Sequence, residues 1–195
     1  MHMYREIFEQ PAVLRTCMEK NAAAIGAIAA AGGQIRNIVI AARGSSDHAG
    51  TYGKYLLEIL TGVPVSLAAC SVVTAYKTEM DYSGSLVIGL SQSGAAEDVA
   101  QVLERARACG ALTVAVTNFP HTRVARAAAH HLCLHAGEEK SVAATKTVTA
   151  QMLLLYLLAC ALAGRADLAA HAAAVPDRMR DTLARYEEIK NAADC

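Results

Sequence analysis

Apolar residues along this chain gather in short unbroken runs, and the segments between them show the wider spacing of helices. Ile38-Val39-Ile40-Ala41-Ala42 forms the run within residues 37–42, and residues 85–90 and 112–117 form two more. None alternates polar with apolar, so each reads as a strand covered on both faces. Residues 63–67, entered through Pro64, and 131–135 bring the count to five. After the run at 85–90, Val99, Val102, Leu103 and Ala106 recur at the spacing of a single helical stripe, with Glu97 and Asp98 in its first turn and Gly110 at its end. Residues 4–31 read as helix, with Gln10-Pro11 marking a break near the start, Gly32-Gly33 the stop, and Ile7, Leu14, Met18, Ile25 and Ile28 as packing positions. Further helix is expected over about 48–60, 71–77, 122–129, 145–163 and 166–191, with Pro176 opening the last segment.

Strands alternating with helices imply parallel βαβ units and right-handed crossovers. The fold class expected is α/β, a three-layer α/β/α sandwich around a five-stranded parallel sheet in the flavodoxin-like order 2-1-3-4-5. The whole chain reads as one domain, 1–195, with an N-terminal helical segment at about 1–33 and C-terminal helices at about 145–192. In that order the first and third strands are neighbours, and ligands bind beyond their C-terminal ends. The first leads into Arg43-Gly44-Ser45-Ser46-Asp47-His48, the third into Ser91-Gln92-Ser93-Gly94. Two turns rich in hydroxyls, each ahead of a helix N-terminus, thus meet at one crevice. Backbone N–H groups with serine and glutamine side chains suit a phosphate held without a metal.

Composition narrows the field further. Hydrophobic residues make up 54% of 195, enough for a sizeable core, and much of that is alanine, which favours closely packed helices. A formal net charge of +0, the absence of Trp and only 2 Phe leave neither a basic stripe nor a stacking platform, so nucleic acid is not an expected partner. The 6 cysteines, Cys17, Cys70, Cys109, Cys133, Cys160 and Cys195, form no CxxC pair and read as small buried residues of a reduced cytoplasm. Arg5, Glu6 and Glu9 interrupt any signal peptide, and the apolar stretch 150–163 is shorter than the ~20 residues of a membrane span. That stretch is apolar nearly all round and is expected to be buried against a partner domain or subunit.

Four segments resemble the sugar isomerase (SIS) domain, most closely the first such domain in the isomerase half of glucosamine-6-phosphate synthase and related isomerases and deaminases. They are Glu6-Ile7-Phe8-Glu9-Gln10-Pro11, Ala42-Arg43-Gly44-Ser45-Ser46, Ser91-Gln92-Ser93-Gly94, and residues 136–146 from Ala136-Gly137-Glu138-Glu139 through Val142-Ala143-Ala144-Thr145-Lys146. The resemblance implies a sugar phosphate bound by Arg43, Gly44, Ser45, Ser46, Ser91, Gln92 and Ser93, with Val142, Ala143 and Ala144 facing the sugar largely through backbone. It implies aldose–ketose isomerisation coupled to amination or deamination of a hexose 6-phosphate, with no metal and no organic cofactor; the alternative is a non-catalytic sugar-phosphate-binding regulatory domain. Three positions depart from the synthase pattern, which has cysteine at Arg43, threonine at Ala96 and serine at Ala144; Arg43 could restore charge where the hydroxyl is missing. The resemblance also implies a glutamine-hydrolysing domain upstream and a second SIS domain downstream in the synthase. On this sequence the expectation is a fragment, or two copies pairing to complete the site.

Moving a proton between C1 and C2 needs a base, and Glu138, Glu139, His48 and Asp47 are the candidates. Glu139 is the one retained as a catalytic candidate, set against the commoner role of a helix-capping or solvated carboxylate. His48 reads as a first-turn polar residue. His130 and His131, adjacent in a strand, point to opposite faces and do not suit a shared metal. Lys146 opens a helix, a poor place for a cation, so it either meets an anion or snorkels.

Overall fold

In the computed structural model, which describes residues 2–193, the five expected strands are all present. They are β1 (Asn37–Ala41), β2 (Val65–Leu67), β3 (Ser85–Ser91), β4 (Leu112–Thr117) and β5 (His130–Cys133). All pair in parallel in the order β2-β1-β3-β4-β5. The helices are α1 (His2–Ala31), α2 (Ser45–Thr61), α3 (Cys70–Thr74), α4 (Glu97–Ala108), α5 (Arg123–Ala127), α6 (Lys146–Leu162), α7 (Ala166–His171), α8 (Val175–Ala184) and α9 (Tyr186–Ala193). Pro176 stands in the first turn of α8.

Alternation along the strands divides the apolar residues between two cores. Ile38 and Ile40, Leu86, Ile88 and Leu90, and Val114 and Val116 face the layer of α1, α2 and α6. Val39, Ala41, Val87 and Ala115 face the layer of α3, α4 and α5. All seven residues of β3 are buried, as a central strand covered on both faces requires.

The break expected at Gln10-Pro11 is absent, because α1 runs straight through Pro11. Proline cannot donate to the carbonyl of Ile7 four residues back; the side-chain amide of Gln10 does so instead, at 3.0 Å. The buried stripe of α1 is also more polar than expected. Leu14, Ile25 and Ile28 lie on it, but so do Glu6, Gln10, Cys17 and Asn21, while Ile7 and Met18 are half-buried. The reason is what α1 packs against, namely backbone at the end of β5 and beyond it. Asn21 Nδ2 donates to the Cys133 carbonyl at 2.7 Å and its Oδ1 accepts from the Cys133 amide at 2.9 Å.

Helix α6 is buried within the chain itself, between α1 and α2, with Leu154, Leu155, Leu158, Ala159 and Cys160 inaccessible. Most of its apolar surface is thus covered within the chain, while Met152, Tyr156, Leu157 and Ala161 are half-buried. Cys17, Cys70 and Cys160 are buried, Cys109 and Cys133 half-buried, and all five are free thiols; Cys195 lies outside the described residues. Among the described residues no helix is long and apolar enough to cross a membrane.

Candidate functional site

The ends of β1 and β3 lie side by side, in register from Asn37 with Ser85 to Ala41 with Gly89. After β1 the chain turns at Gly44, whose φ of 57° and ψ of -133° suit glycine, and enters α2 at once. The helix thus starts three residues before the expected His48, which puts Ser45 and Ser46 in its first turn. No side chain caps it, and the Asp47 amide is taken by the Gly44 carbonyl. The positive end of this helix dipole therefore lies behind the two serines.

The corner after β3 is built differently. Five residues, 92–96, separate β3 from α4, which opens at Glu97 with Asp98 in its first turn, as the sequence suggested. Ser91 Oγ accepts from the Gly94 amide at 3.1 Å, Ser93 Oγ from the Ala95 amide at 3.3 Å, and the Gln92 carbonyl from the Asn118 amide at 3.2 Å. Gly94 has a φ of 70°, and a Cβ there would collide with the side chain of Thr122. Only glycine fits.

Between the corners lies a cavity of about 260 Å³. Arg43, Ser45, Ser46, Ser91, Gln92, Ser93, Glu139, Val142 and Ala144 all line it. Of the expected site residues, Gly44 and Ala143 do not. Leu90, Ala96, Ser141, Thr147 and Val148 line it as well and were not singled out for the cavity, apart from Ala96 as a departure. Asp47, His48 and Glu138 are not on its wall.

The third wall is the segment between β5 and α6, and it is held in place by carboxylates. Glu139 Oε1 accepts from the amides of Thr145 and Thr147 and from the Thr145 hydroxyl, each at 3.1 Å, while Oε2 accepts from the Thr147 hydroxyl. It caps α6 while facing the cavity. Glu6, wholly buried on α1, accepts from the Lys140 amide at 2.6 Å and the Ser141 amide at 3.2 Å. Burial pushes its carboxyl up, but hydrogen bonds from Ser141 and Lys140, helped by the Lys146 charge, outweigh this and hold it below the usual carboxylate range. Lys146 does not snorkel; it meets an anion, and that anion is a carboxylate of the chain itself. The lysine is 3% exposed and its Nζ meets Glu9 Oε2 at 2.5 Å. Glu6 is the residue that periodicity passed over. Its signal was a carboxylate on the same helical face as Leu14, Ile25 and Ile28.

Two further placements bear on charge. Arg43 Nε donates to Asp98 Oδ2 at 2.5 Å, which raises the guanidinium's already high pKa. Beneath the cavity, Gln151 of α6 is wholly buried and its Nε2 donates to Ser46 Oγ at 3.0 Å. Away from the site, His131 Nε2 lies 2.8 Å from Thr117 Oγ1, and burial lowers its pKa. Among the described residues no three His, Cys, Asp or Glu side chains are grouped to hold a metal.

A family model described as the SIS domain matches residues 34–161. The glutamine–fructose-6-phosphate aminotransferase of Aquifex aeolicus is 34% identical over 199 residues, an alignment covering 98% of this chain and 32% of that protein. The enzyme of the same name from Symbiobacterium thermophilum is 35% identical over 210 residues, covering 98% and 34%. The chain thus spans about a third of the length of the curated relatives it matches. Among solved structures, a candidate phosphosugar isomerase from Silicibacter pomeroyi superposes with a TM-score of 0.89 at 33% identity, over 93% of this chain and 56% of that one. The C-terminal domain of the glucosamine-fructose-6-phosphate aminotransferase of Francisella tularensis gives 0.74 at 25% identity, over 93% and 53%.

Proposed function

Because this chain belongs to the SIS domain family, we propose that its cavity binds the phosphate of a hexose 6-phosphate and serves aldose–ketose isomerisation coupled to amination or deamination at C2. One observation carries the reading: serines from the ends of two non-consecutive strands, Ser46 beyond β1, Ser91 at the end of β3 and Ser93 just past it, line the same small cavity at the N-terminus of α2. A phosphate there meets hydroxyl and amide donors and the positive helix end, and Arg43 at the rim adds charge. The Val142 to Ala144 segment faces the sugar. Anchoring the phosphate leaves remote binding energy to place C1 and C2 against the reacting groups.

Relatives named aminotransferase at 34% and 35% identity support the amino-sugar chemistry, and they span about three times this chain's length. Completion of the site by a second such domain, on the same polypeptide or a second copy, is part of the reading, as is a cytoplasmic setting among metabolic enzymes. The competing reading is a regulatory sugar-phosphate-binding domain. It is favoured by Glu139, the carboxylate on the cavity wall, whose hydrogen bonds are spent on capping α6. Calorimetric titration with fructose 6-phosphate and glucosamine 6-phosphate, followed by assay of their interconversion with and without ammonia, separates the two. Binding with turnover supports the enzyme; binding without turnover, in this chain and in one extended by a second SIS domain, supports the regulatory domain. No binding of either sugar phosphate defeats both.

A further inference from the structure

Gln151 lies one layer beneath the cavity, in the second turn of α6, with no exposed surface. Its Nε2 donates to Ser46 Oγ at 3.0 Å, whereas its Oε1 is buried without a hydrogen-bond partner among the described residues. An amide oxygen stranded in this way costs stability, and natural cores remove such groups unless they serve some purpose. A hydroxyl has a single proton to give and two lone pairs to accept with. With one lone pair taken from behind by an amide N–H, the Ser46 proton is left for an acceptor on the cavity side. Had the amide presented its oxygen instead, the same hydroxyl would donate inward and turn a lone pair toward the ligand. For an anionic ligand that would be repulsive.

We propose that Gln151 is a positioning residue of the phosphate subsite: buried on α6, it orients the Ser46 hydroxyl as a donor to a phosphoryl oxygen in the cavity. The inference rests on the phosphate reading above and adds to it a residue that does not touch the ligand. It also explains why α6 is polar at Gln151 when its neighbours Leu153, Leu154 and Leu155 are apolar and buried. Three elements then cooperate at one hydroxyl, since β1 ends at the corner, α2 brings Ser46, and α6 sets its proton.

The proposal is tested by a double-mutant cycle read by titration with glucosamine 6-phosphate and with fructose 6-phosphate. Gln151→Met keeps the length of the side chain and replaces a stranded amide by an apolar group, so the melting temperature holds or rises. Affinity is expected to fall about tenfold, the scale of one hydrogen bond to a charged group. Gln151→Glu, which can only accept from Ser46 when ionised, is expected to weaken binding further. In a Ser46→Ala background, Gln151→Met is expected to change affinity less than about twofold, because the group it acts through is gone. Gln151→Leu, measured alongside, repeats the cycle with a second apolar side chain. Unchanged affinity in Gln151→Met, or the same tenfold loss in the Ser46→Ala background, overturns the inference and leaves the phosphate reading standing. Failure of the unsubstituted protein to bind either sugar phosphate overturns both.

Discussion

The two serine corners face the same cavity but are stabilised by different means. Beyond β3 the turn closes on itself, with Ser91 and Ser93 accepting from amides two and three residues ahead. Beyond β1 no side chain caps α2, and Ser46 is held from a helix 105 residues further along. The loop at 138–145 resembles the second case, since Glu6 holds it across 134 residues of chain. The side-chain hydrogen bonds of the β3 corner are local, whereas those at Ser46 and at the Lys140-Ser141 amides come from α6 and α1. Changes in the local turn should therefore act through sterics, and changes elsewhere through lost long-range partners.

The largest contrast is expected between the glycines of the two corners. Gly94→Ala combines a left-handed backbone with a Cβ driven into Thr122, at a cost of about 3 kcal/mol. Gly44→Ala meets no atom within 4 Å and bears only the strain of its positive-φ backbone, about 1–3 kcal/mol. Urea midpoints with unchanged m-values measure both, and equal losses would dissolve the distinction.

Next in size is Glu6→Gln. Removing the carboxylate leaves part-buried amides at Lys140 and Ser141, and a wholly buried side chain at position 6, poorly matched, a cost of about 2 kcal/mol. The pH dependence has a definite sign. The folded carboxyl sits below its ordinary value of 4.5, so its contribution is complete above that value and is lost as pH falls beneath it. Tryptic cleavage after Lys140 should accelerate in Glu6→Gln at neutral pH, and cleavage protection equal to that of the unsubstituted protein would contradict the account.

Ser46→Ala strands the whole Gln151 amide in the interior and should cost about 2 kcal/mol, whereas Ser91→Ala, facing an open cavity that water can enter, should cost about 1. Thermal melts of the two single variants suffice, and the reverse order would contradict the long-range assignment. Smallest of all is Arg43→Ala. Its ion pair with Asp98 is largely exposed, so stability should move by less than about 0.5 kcal/mol. Its effect belongs in ligand affinity, and unchanged affinity would remove Arg43 from the site.

The same contrast explains what could be read in advance. Unbroken apolar runs such as Ile38-Val39-Ile40 and Leu86-Val87-Ile88 carry the strand positions, and from their alternation with helices came the order β2-β1-β3-β4-β5. Serine and glycine after two adjacent strands gave the cavity's location. Contacts across long stretches of chain were not readable, because periodicity reports only which face is buried and not what lies opposite. Glu6 was not among the packing positions that periodicity picked out on its helix, Lys146 looked misplaced at a helix start, and Gln151 was hidden in an apolar helix. Pro11 suggested a break because nothing in the pattern showed Gln10 taking over the missing donor.

The central claim, that the serines of both corners hold one phosphoryl group, is tested most directly by calorimetric titration of glucosamine 6-phosphate and of unphosphorylated glucosamine into the protein and its Ser46→Ala/Ser91→Ala variant. The account predicts that only the phosphorylated sugar binds the unsubstituted protein and that its affinity falls at least tenfold in the folded double variant. Equal affinity of the double variant for glucosamine 6-phosphate would contradict it.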